Sequence, residues 1–94
     1  MFYERDMQVL DKSYFNIILT GDYDVTIQSK NTGHFWYIHN PEYPGEKVCV
    51  IFHKHRASNP YHRHGRAGSL RQAVRGIKGH DAFQMNGRKG TFCE

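Results

Sequence analysis

Apolar residues near the start of the chain are spaced as on one face of a helix. In the segment from Glu4 to Leu19 they recur at intervals of three and four, at Met7, Leu10, Tyr14 and Ile17. This spacing predicts a helix, and the turn residues Thr20 to Asp22 predict its end. Aromatic and β-branched residues are also dense between Tyr14 and Leu19, and such clusters fit a strand. Both interpretations of this stretch stay open.

Strict alternation follows this segment. In Tyr23–Ser29, Val25 and Ile27 alternate with polar neighbours, and the turn residues Lys30–Gly33 lead directly into His34–His39. Two alternating runs joined by a short glycine-containing turn predict a β-hairpin.

The chain then breaks and resumes as a third strand. Two prolines and a glycine between Asn40 and Gly45 interrupt the ladder, and the apolar run within Lys47–His55 restores it. Three sequential strands predict an antiparallel meander.

Side chains on successive positions of the second strand point to opposite faces of the sheet. We expect one set of this strand to form core and the other to form an aromatic platform if no other element covers it. The core set is Trp36 and Ile38, and the platform set is Phe35, Tyr37 and His39.

A second helix is predicted after a loop that spans Ala57 to Gly68. Ser69 and Gln72 have the spacing of a capping box, in which each side chain satisfies a backbone N–H at a helix start. The apolar face of this helix is Leu70, Ala73, Val74 and Ile77.

Gly79 predicts the end of the second helix. The remainder, His80 to Glu94, is predicted as an irregular tail with an Asn86–Gly87 turn.

The predicted fold class is α+β: a three-stranded antiparallel meander with an N-terminal and a C-terminal helix packed on it, in a single domain of residues 1–94. The order helix, three strands, helix resembles the layout of double-stranded RNA-binding domains, and the basic start of the last helix, Ser69 to Arg75, adds to the resemblance. This is a resemblance of architecture, and it implies binding to a nucleic acid.

Charge divides the chain into two halves. Residues 1–46 carry three Lys or Arg and seven Asp or Glu, whereas residues 47–94 carry ten and two. The halves therefore have net charges of −4 and +8. Such a split predicts contact with a polyanion.

Other compositional features narrow the class of protein. No apolar run is long enough to cross a bilayer, and the N-terminus lacks a secretory signal pattern, so we expect no membrane partner. Cys49 and Cys93 are isolated thiols, which predicts a reducing, cytoplasmic location, with a Cys49–Cys93 bridge as the alternative.

The segment from His53 to Arg66 concentrates the candidate chemistry. It contains four histidines and four Lys or Arg. One interpretation is a metal site, because His53 and His55 would share one strand face and His62 and His64 another, and imidazoles ligate Zn²⁺. Interleaved cations, the absence of paired cysteines and the lack of a nearby carboxylate before Asp81 weigh against it.

The second interpretation is a phosphate-contacting surface, in which cations supply charge and Tyr61 offers a stacking plane. The third is a solvated loop whose His53 faces the core and is hydrogen-bonded. His80 and Asp81 form an adjacent imidazole and acid, but neighbouring side chains diverge, so a general-base pair is not favoured.

The sequence as a whole predicts a small non-enzymatic binding module without a cofactor that engages nucleic acid or a nucleoprotein complex, in the manner of an accessory or inhibitory protein of a phage or mobile element. The alternatives are a metal-dependent phosphodiester hydrolase that uses Zn²⁺ on the four loop histidines, and a protein-only inhibitor. The predicted contact residues are Lys54, Arg56, Tyr61, Arg63, Arg66, Arg71, Arg75 and Lys78.

Overall fold

A computed structural model describes residues 2–40 and 49–86 of the chain. Within these residues five strands form one antiparallel sheet in the order of the sequence, and one long helix packs on one face of it. The elements are α1 (Glu4–Met7), β1 (Phe15–Thr20), β2 (Asp24–Ser29), β3 (Phe35–His39), β4 (Cys49–Lys54), β5 (His62–Ala67) and α2 (Leu70–Asn86). The α+β class and the antiparallel sheet are confirmed, whereas the prediction of three strands is wrong.

The predicted N-terminal helix is wrong over most of its length. It ends at Met7, and the alternative strand interpretation holds as β1. A polar turn lies where the predicted helix would continue. There the Asp11 carboxylate accepts hydrogen bonds from the backbone N–H of Ser13 at 2.9 Å and from the Ser13 hydroxyl at 2.6 Å. Such local bonds compete with helical ones. The chain then enters β1 with Phe15 paired to Ser29 of β2.

The hairpin prediction is confirmed as β2 and β3. Their register pairs Ile27 with Trp36 and Val25 with Ile38. Gly33 adopts a φ of 77° in the turn, a conformation that favours glycine, and its N–H donates to the Ser29 carbonyl at 2.8 Å.

The third predicted strand is confirmed as β4 from Cys49 onwards. Lys47 and Val48 lie outside the described residues, as does most of the predicted break between Asn40 and Gly45.

The loop predicted between Ala57 and Gly68 contains β5, so that prediction is wrong. Strand β5 forms the edge of the sheet and pairs with β4, with His62 opposite His53 and Ala67 opposite Cys49. Its side chains are mostly polar and exposed, as is common on edge strands. A strand of this kind lacks the apolar alternation that reveals strands in a sequence.

The C-terminal helix begins where the capping residues predicted. The Gln72 N–H donates to the Ser69 hydroxyl at 3.1 Å, while the Gln72 side-chain oxygen accepts from the Gly68 N–H at 2.6 Å. The predicted end at Gly79 is wrong, because α2 continues to Asn86. The predicted irregular tail is therefore wrong from His80 to Asn86, which are helical. The rest of that tail, with Gly87 of the predicted turn, lies outside the described residues.

The buried core lies between the sheet on one side and the N-terminal segment and α2 on the other. The sheet contributes Val25, Ile27, Trp36, Ile38, Cys49 and Ile51. The N-terminal segment contributes Phe2 and Leu10, and α2 contributes Leu70, Ala73, Val74 and Ile77. We call this side of the sheet the inner face. In the described ranges no helix is both long and apolar enough to span a membrane.

The layout of a double-stranded RNA-binding domain is not observed. The described chain has five strands where that layout needs three, and its first helix is a single turn. The architectural resemblance drawn from the sequence is therefore wrong.

Candidate functional site

The side of the sheet opposite the inner face carries a group of aromatic rings. The Tyr37 ring centroid lies 5.7 Å from that of Phe52 and 6.0 Å from that of Tyr61. The Lys54 ammonium lies 4.4 Å from the Tyr61 ring centroid and 5.4 Å from that of Phe35. These side chains are half-buried, and no described helix covers them. We call this side the open face.

Two arginines extend the open face towards the sheet edge. Arg63 pairs with Phe52 and Arg66 with Val50, and directly paired residues point to the same side of an antiparallel sheet. Both arginines are exposed. The open face therefore combines a group of neighbouring aromatic rings with three cations, Lys54, Arg63 and Arg66.

The predicted division of β3 agrees with the structure. Trp36 and Ile38 have no exposed surface, whereas Phe35, Tyr37 and His39 are half-buried on the open face. The Tyr37 hydroxyl donates to the Asp24 carboxylate at 2.8 Å. Burial and this bond together raise the pKa of Tyr37, so its hydroxyl is a neutral donor.

The basic residues of α2 form a separate group. Arg71, Arg75 and Lys78 line a hollow of about 310 Å³ with Gln8, Val9 and Val74, next to the N-terminal segment. The Lys78 ammonium lies 4.9 Å from the Tyr14 ring centroid. Because α2 and the N-terminal segment both pack on the inner face, these three cations lie on the other side of the sheet from Arg63 and Arg66.

Arg56 belongs to the turn between β4 and β5, where it is exposed. Its carbonyl accepts the Asn59 N–H at 3.0 Å. The eight predicted contact residues therefore occupy an open-face group, a turn and a helix group.

Histidines gather on the inner face beside the core. The ring centroid of His53 lies between 4.9 and 5.6 Å from five others. The five rings belong to His34, His55, His62, His64 and His80. We call these six residues the histidine cluster.

Trp36 packs against three rings of the histidine cluster. Its ring stacks on His53 at 4.1 Å and meets the rings of His64 and His80 edge-on at 5.1 and 5.3 Å. The indole N–H donates to the Ser29 hydroxyl at 3.2 Å. Trp36 is fully buried and His53 is 2 % exposed, so this side of the cluster is closed to solvent.

Three members of the cluster form its buried part, in which His34 and His53 are buried and His80 is half-buried. His34, His53 and His80 each place one ring nitrogen within 4.8 Å of a ring nitrogen of the others. His53 Nε2 and His34 Nδ1 are hydrogen-bonded at 3.1 Å. Burial lowers the pKa of His53 to about 3 and, with the neighbouring imidazoles, also lowers the pKa of His80. Both rings are therefore neutral at neutral pH.

The sequence anticipated only part of this cluster. The four loop histidines do lie near one another, but the three buried ring nitrogens that converge belong to His53 and to two residues that the metal interpretation omitted. His34 follows the β2–β3 turn and His80 belongs to α2, so no local spacing connects them with His53. The expectation of a core-facing, hydrogen-bonded His53 agrees with its 2 % exposure and its bond to His34.

His80 and Asp81 do not act on each other through a hydrogen bond. The Asp81 carboxylate is fully buried and accepts hydrogen bonds from the Tyr14 hydroxyl at 2.8 Å and the Thr32 hydroxyl at 3.1 Å. Burial and the Asp81 bond raise the pKa of Tyr14 to about 12. These bonds fasten the C-terminal part of α2 to the start of β1 and to the β2–β3 turn.

Comparisons of the chain with protein-family models, curated proteins and solved structures found no match. No relative therefore assigns a role to any of these residues.

Proposed function

We propose that this protein is a binding module for single-stranded nucleic acid and that the open face is its contact surface. The observation that supports this most strongly is the position of Lys54, whose ammonium sits over Tyr61 and near Phe35, beside the rings of Tyr37 and Phe52. A cation among half-exposed aromatic rings on an uncovered sheet is suited to a stacked base and its phosphate.

Aromatic rings favour single strands over duplexes. Unpaired bases stack on aromatic side chains, and each stacked base contributes about 1–3 kcal/mol of binding free energy. Paired bases in a duplex cannot reach a sheet surface in this way. Tyr61 and Phe52 are the rings next to the cationic edge, so we expect them to carry the stacking.

Cations at the edge of the open face fix the side on which the phosphates run. Arg63 and Arg66 project from β5, and Lys54 from β4. Asp24 lies at the opposite end of this face, bonded to Tyr37, and its carboxylate repels phosphate. The strand of nucleic acid should therefore follow β4 and β5 and stop short of β2.

Fluorescence anisotropy of labelled oligo-dT, oligo-rU and a duplex of equal length tests the proposal. We expect the single strands to bind more tightly than the duplex. Their log K should fall with log salt at about −0.7 per phosphate contacted. Equal or tighter duplex binding would contradict the role of the aromatic rings.

A pair of double variants locates the cationic contacts. Arg63→Gln with Arg66→Gln should weaken binding and reduce the salt slope by roughly 1.4, because two phosphate contacts are lost. Arg71→Gln with Arg75→Gln removes the same charge from α2 and should leave affinity and slope unchanged near 0.15 M salt, where the Debye length is about 8 Å. Equal losses in both variants would indicate attraction by net charge alone.

A pair of single variants tests stacking. Tyr61→Leu keeps an apolar side chain but removes the ring, and we expect a loss of affinity of about fivefold or more, as the stacking contribution implies. Tyr23→Leu removes another exposed ring, in the turn between β1 and β2, and should have no effect. If Tyr61→Leu also had no effect, the open face would not be the site of base contact.

A further inference from the structure

We propose that the buried part of the histidine cluster binds one divalent transition-metal ion of the Zn²⁺ type, with His34, His53 and His80 as its three protein ligands. The three residues come from the β2–β3 turn, the end of β4 and the middle of α2. The ion would therefore join three separate parts of the fold. This site is independent of the open face, which lies on the other side of the sheet.

The spacing of the ring nitrogens is close to that of a metal site. Two nitrogens bound to one tetrahedral Zn²⁺ at 2.0–2.1 Å lie roughly 3.3 Å apart. His53 Nε2 and His34 Nδ1 are 3.1 Å apart, and the nitrogens of all three residues lie within 4.8 Å of one another. Rotation of the His34 and His80 side chains is the movement that would bring all three within bonding distance.

An unpaired polar atom also indicates a ligand. The Nδ1 atom of His80 is buried and has no hydrogen-bond partner among the described residues. A buried polar atom without a partner costs about 1–3 kcal/mol, and a metal bond would remove that cost. His39 Nδ1 is also without a hydrogen bond, but it lies on the open face, 4.0 Å from the Asp24 carboxylate.

The surroundings suit a cation better than the sequence suggested. Lys54, Arg63 and Arg66, which argued against a metal site, point to the open face. Asp81 follows His80 in α2, but its carboxylate is bonded to Tyr14 and Thr32 and is not one of the converging groups. Imidazole ligands favour Zn²⁺, Ni²⁺, Co²⁺ or Cu²⁺ over Mg²⁺ and Ca²⁺.

A fourth ligand position would face the exposed members of the cluster. The His55 ring stacks on that of His34 at 4.2 Å, and the His64 ring meets that of His80 at 5.2 Å. Either ring, or a water molecule, can complete a tetrahedral set.

Trp36 provides a direct readout of binding. It is the single tryptophan of the chain, and its ring lies 4.1 Å from that of His53 and 5.3 Å from that of His80. Co²⁺ added to tag-free, chelator-treated protein should quench Trp36 fluorescence with a stoichiometry of one. Zn²⁺ should displace Co²⁺ and raise Tm. Absence of saturable quenching together with an unchanged Tm would overturn the proposal.

Matched histidine variants identify the ligands by calorimetric Zn²⁺ titration. His80→Gln and His34→Gln should each weaken Zn²⁺ binding by more than tenfold, since even partners that only orient a metal ligand typically contribute about 10–100-fold. His39→Gln, on the open face, should leave the affinity unchanged. His62→Gln should also leave it unchanged, since His62 is outside the set of three.

The variants also separate this site from the four-histidine site considered from the sequence. If His62→Gln weakened Zn²⁺ binding as much as His80→Gln, the loop histidines would be the ligands and the assignment would be wrong. Circular dichroism of each variant distinguishes a loss of folding from the loss of a metal ligand. If His34→Gln fails to fold, His80→Gln alone decides, because His80 is only half-buried.

Discussion

His53 occupies a position in β4 that strand alternation assigns to the core. Cys49 and Ile51 precede it on the inner face, and Trp36 of the neighbouring strand stacks on it. An imidazole placed there must stay neutral or meet a partner, because burial penalises its charged form. The bond to His34 provides a partner.

Acid should destabilise the protein through this residue. Burial, followed by the neighbouring imidazoles, lowers the pKa of folded His53 to about 3 from 6.5. The unfolded chain therefore binds the proton first, and stability present above pH 6.5 is lost as the pH falls towards 3. With chelator present, the urea midpoint should drop between pH 7.5 and pH 5.5.

The groups that face His53 are all imidazoles. They are His34 from the β2–β3 turn, His55 after β4, His62 and His64 from β5 and His80 from α2. His39→Gln, a substitution outside the cluster, should not change this decrease of the urea midpoint. A urea midpoint that is constant over this pH range would contradict a buried, neutral His53.

Tyr14 should stabilise the fold through Asp81. Its hydroxyl donates to a fully buried carboxylate at 2.8 Å, and hydrogen bonds to charged groups contribute about 1.5–3 kcal/mol. Tyr14 is itself half-buried, so we expect Tyr14→Phe to lower the free energy of unfolding by about 1.5 kcal/mol. Tyr23→Phe in the same urea titration should change nothing. An equal result for both variants would show that the bond does not fasten α2.

Secondary structure was predictable from the sequence where packing creates a regular pattern. Alternation revealed β2, β3 and β4, because one side of each faces α2 or the N-terminal segment, and Ser69 with Gln72 marked the start of α2. Strand β5 gave no such pattern, since it is an edge strand with polar side chains on both sides. The prediction of a long N-terminal helix failed for another reason. The apolar residues from Met7 onwards happen to have helical spacing, although those from Phe15 belong to β1.

Two glycine-to-alanine substitutions should have opposite effects on stability, and the one in α2 tests the length of that helix. Gly79 lies inside the helix with open space around its Cα, so Gly79→Ala should raise the free energy of unfolding by up to about 1 kcal/mol. Gly33→Ala, at a φ of 77°, should lower it by about 1–2 kcal/mol. Destabilisation by Gly79→Ala in urea titrations would indicate that the helix ends there, as the sequence alone suggested.

The charge split of the chain becomes a gradient across the whole molecule. Strand order follows chain order, so β4 and β5 come from the basic half and β1 and β2 from the acidic half. Between Cys49 and His80 the chain has seven Lys or Arg and no Asp or Glu. The basic end of the sheet was therefore predictable from the sequence. Which basic residues share one face was not, because α2 carries Arg71 and Arg75 to the other side of the sheet.

The candidate sites show what a sequence leaves open at this scale. Residue types indicated which imidazoles and cations to consider, but not how they are arranged. The partner of His53 lies 19 residues before it, and only the pairing of β3 with β4 brings the two together. The same pairing aligns Tyr37 with Phe52 on the open face.

An oligo-dT titration followed by NMR locates the contact surface of this protein residue by residue. If single strands bind to the open face, the aromatic side-chain resonances of Tyr37, Phe52 and Tyr61 should shift as the oligonucleotide is added, while those of Phe15 and Trp36 on the inner face stay in place. Shifts centred on α2, or no shift in any of the five residues, would contradict binding at the open face.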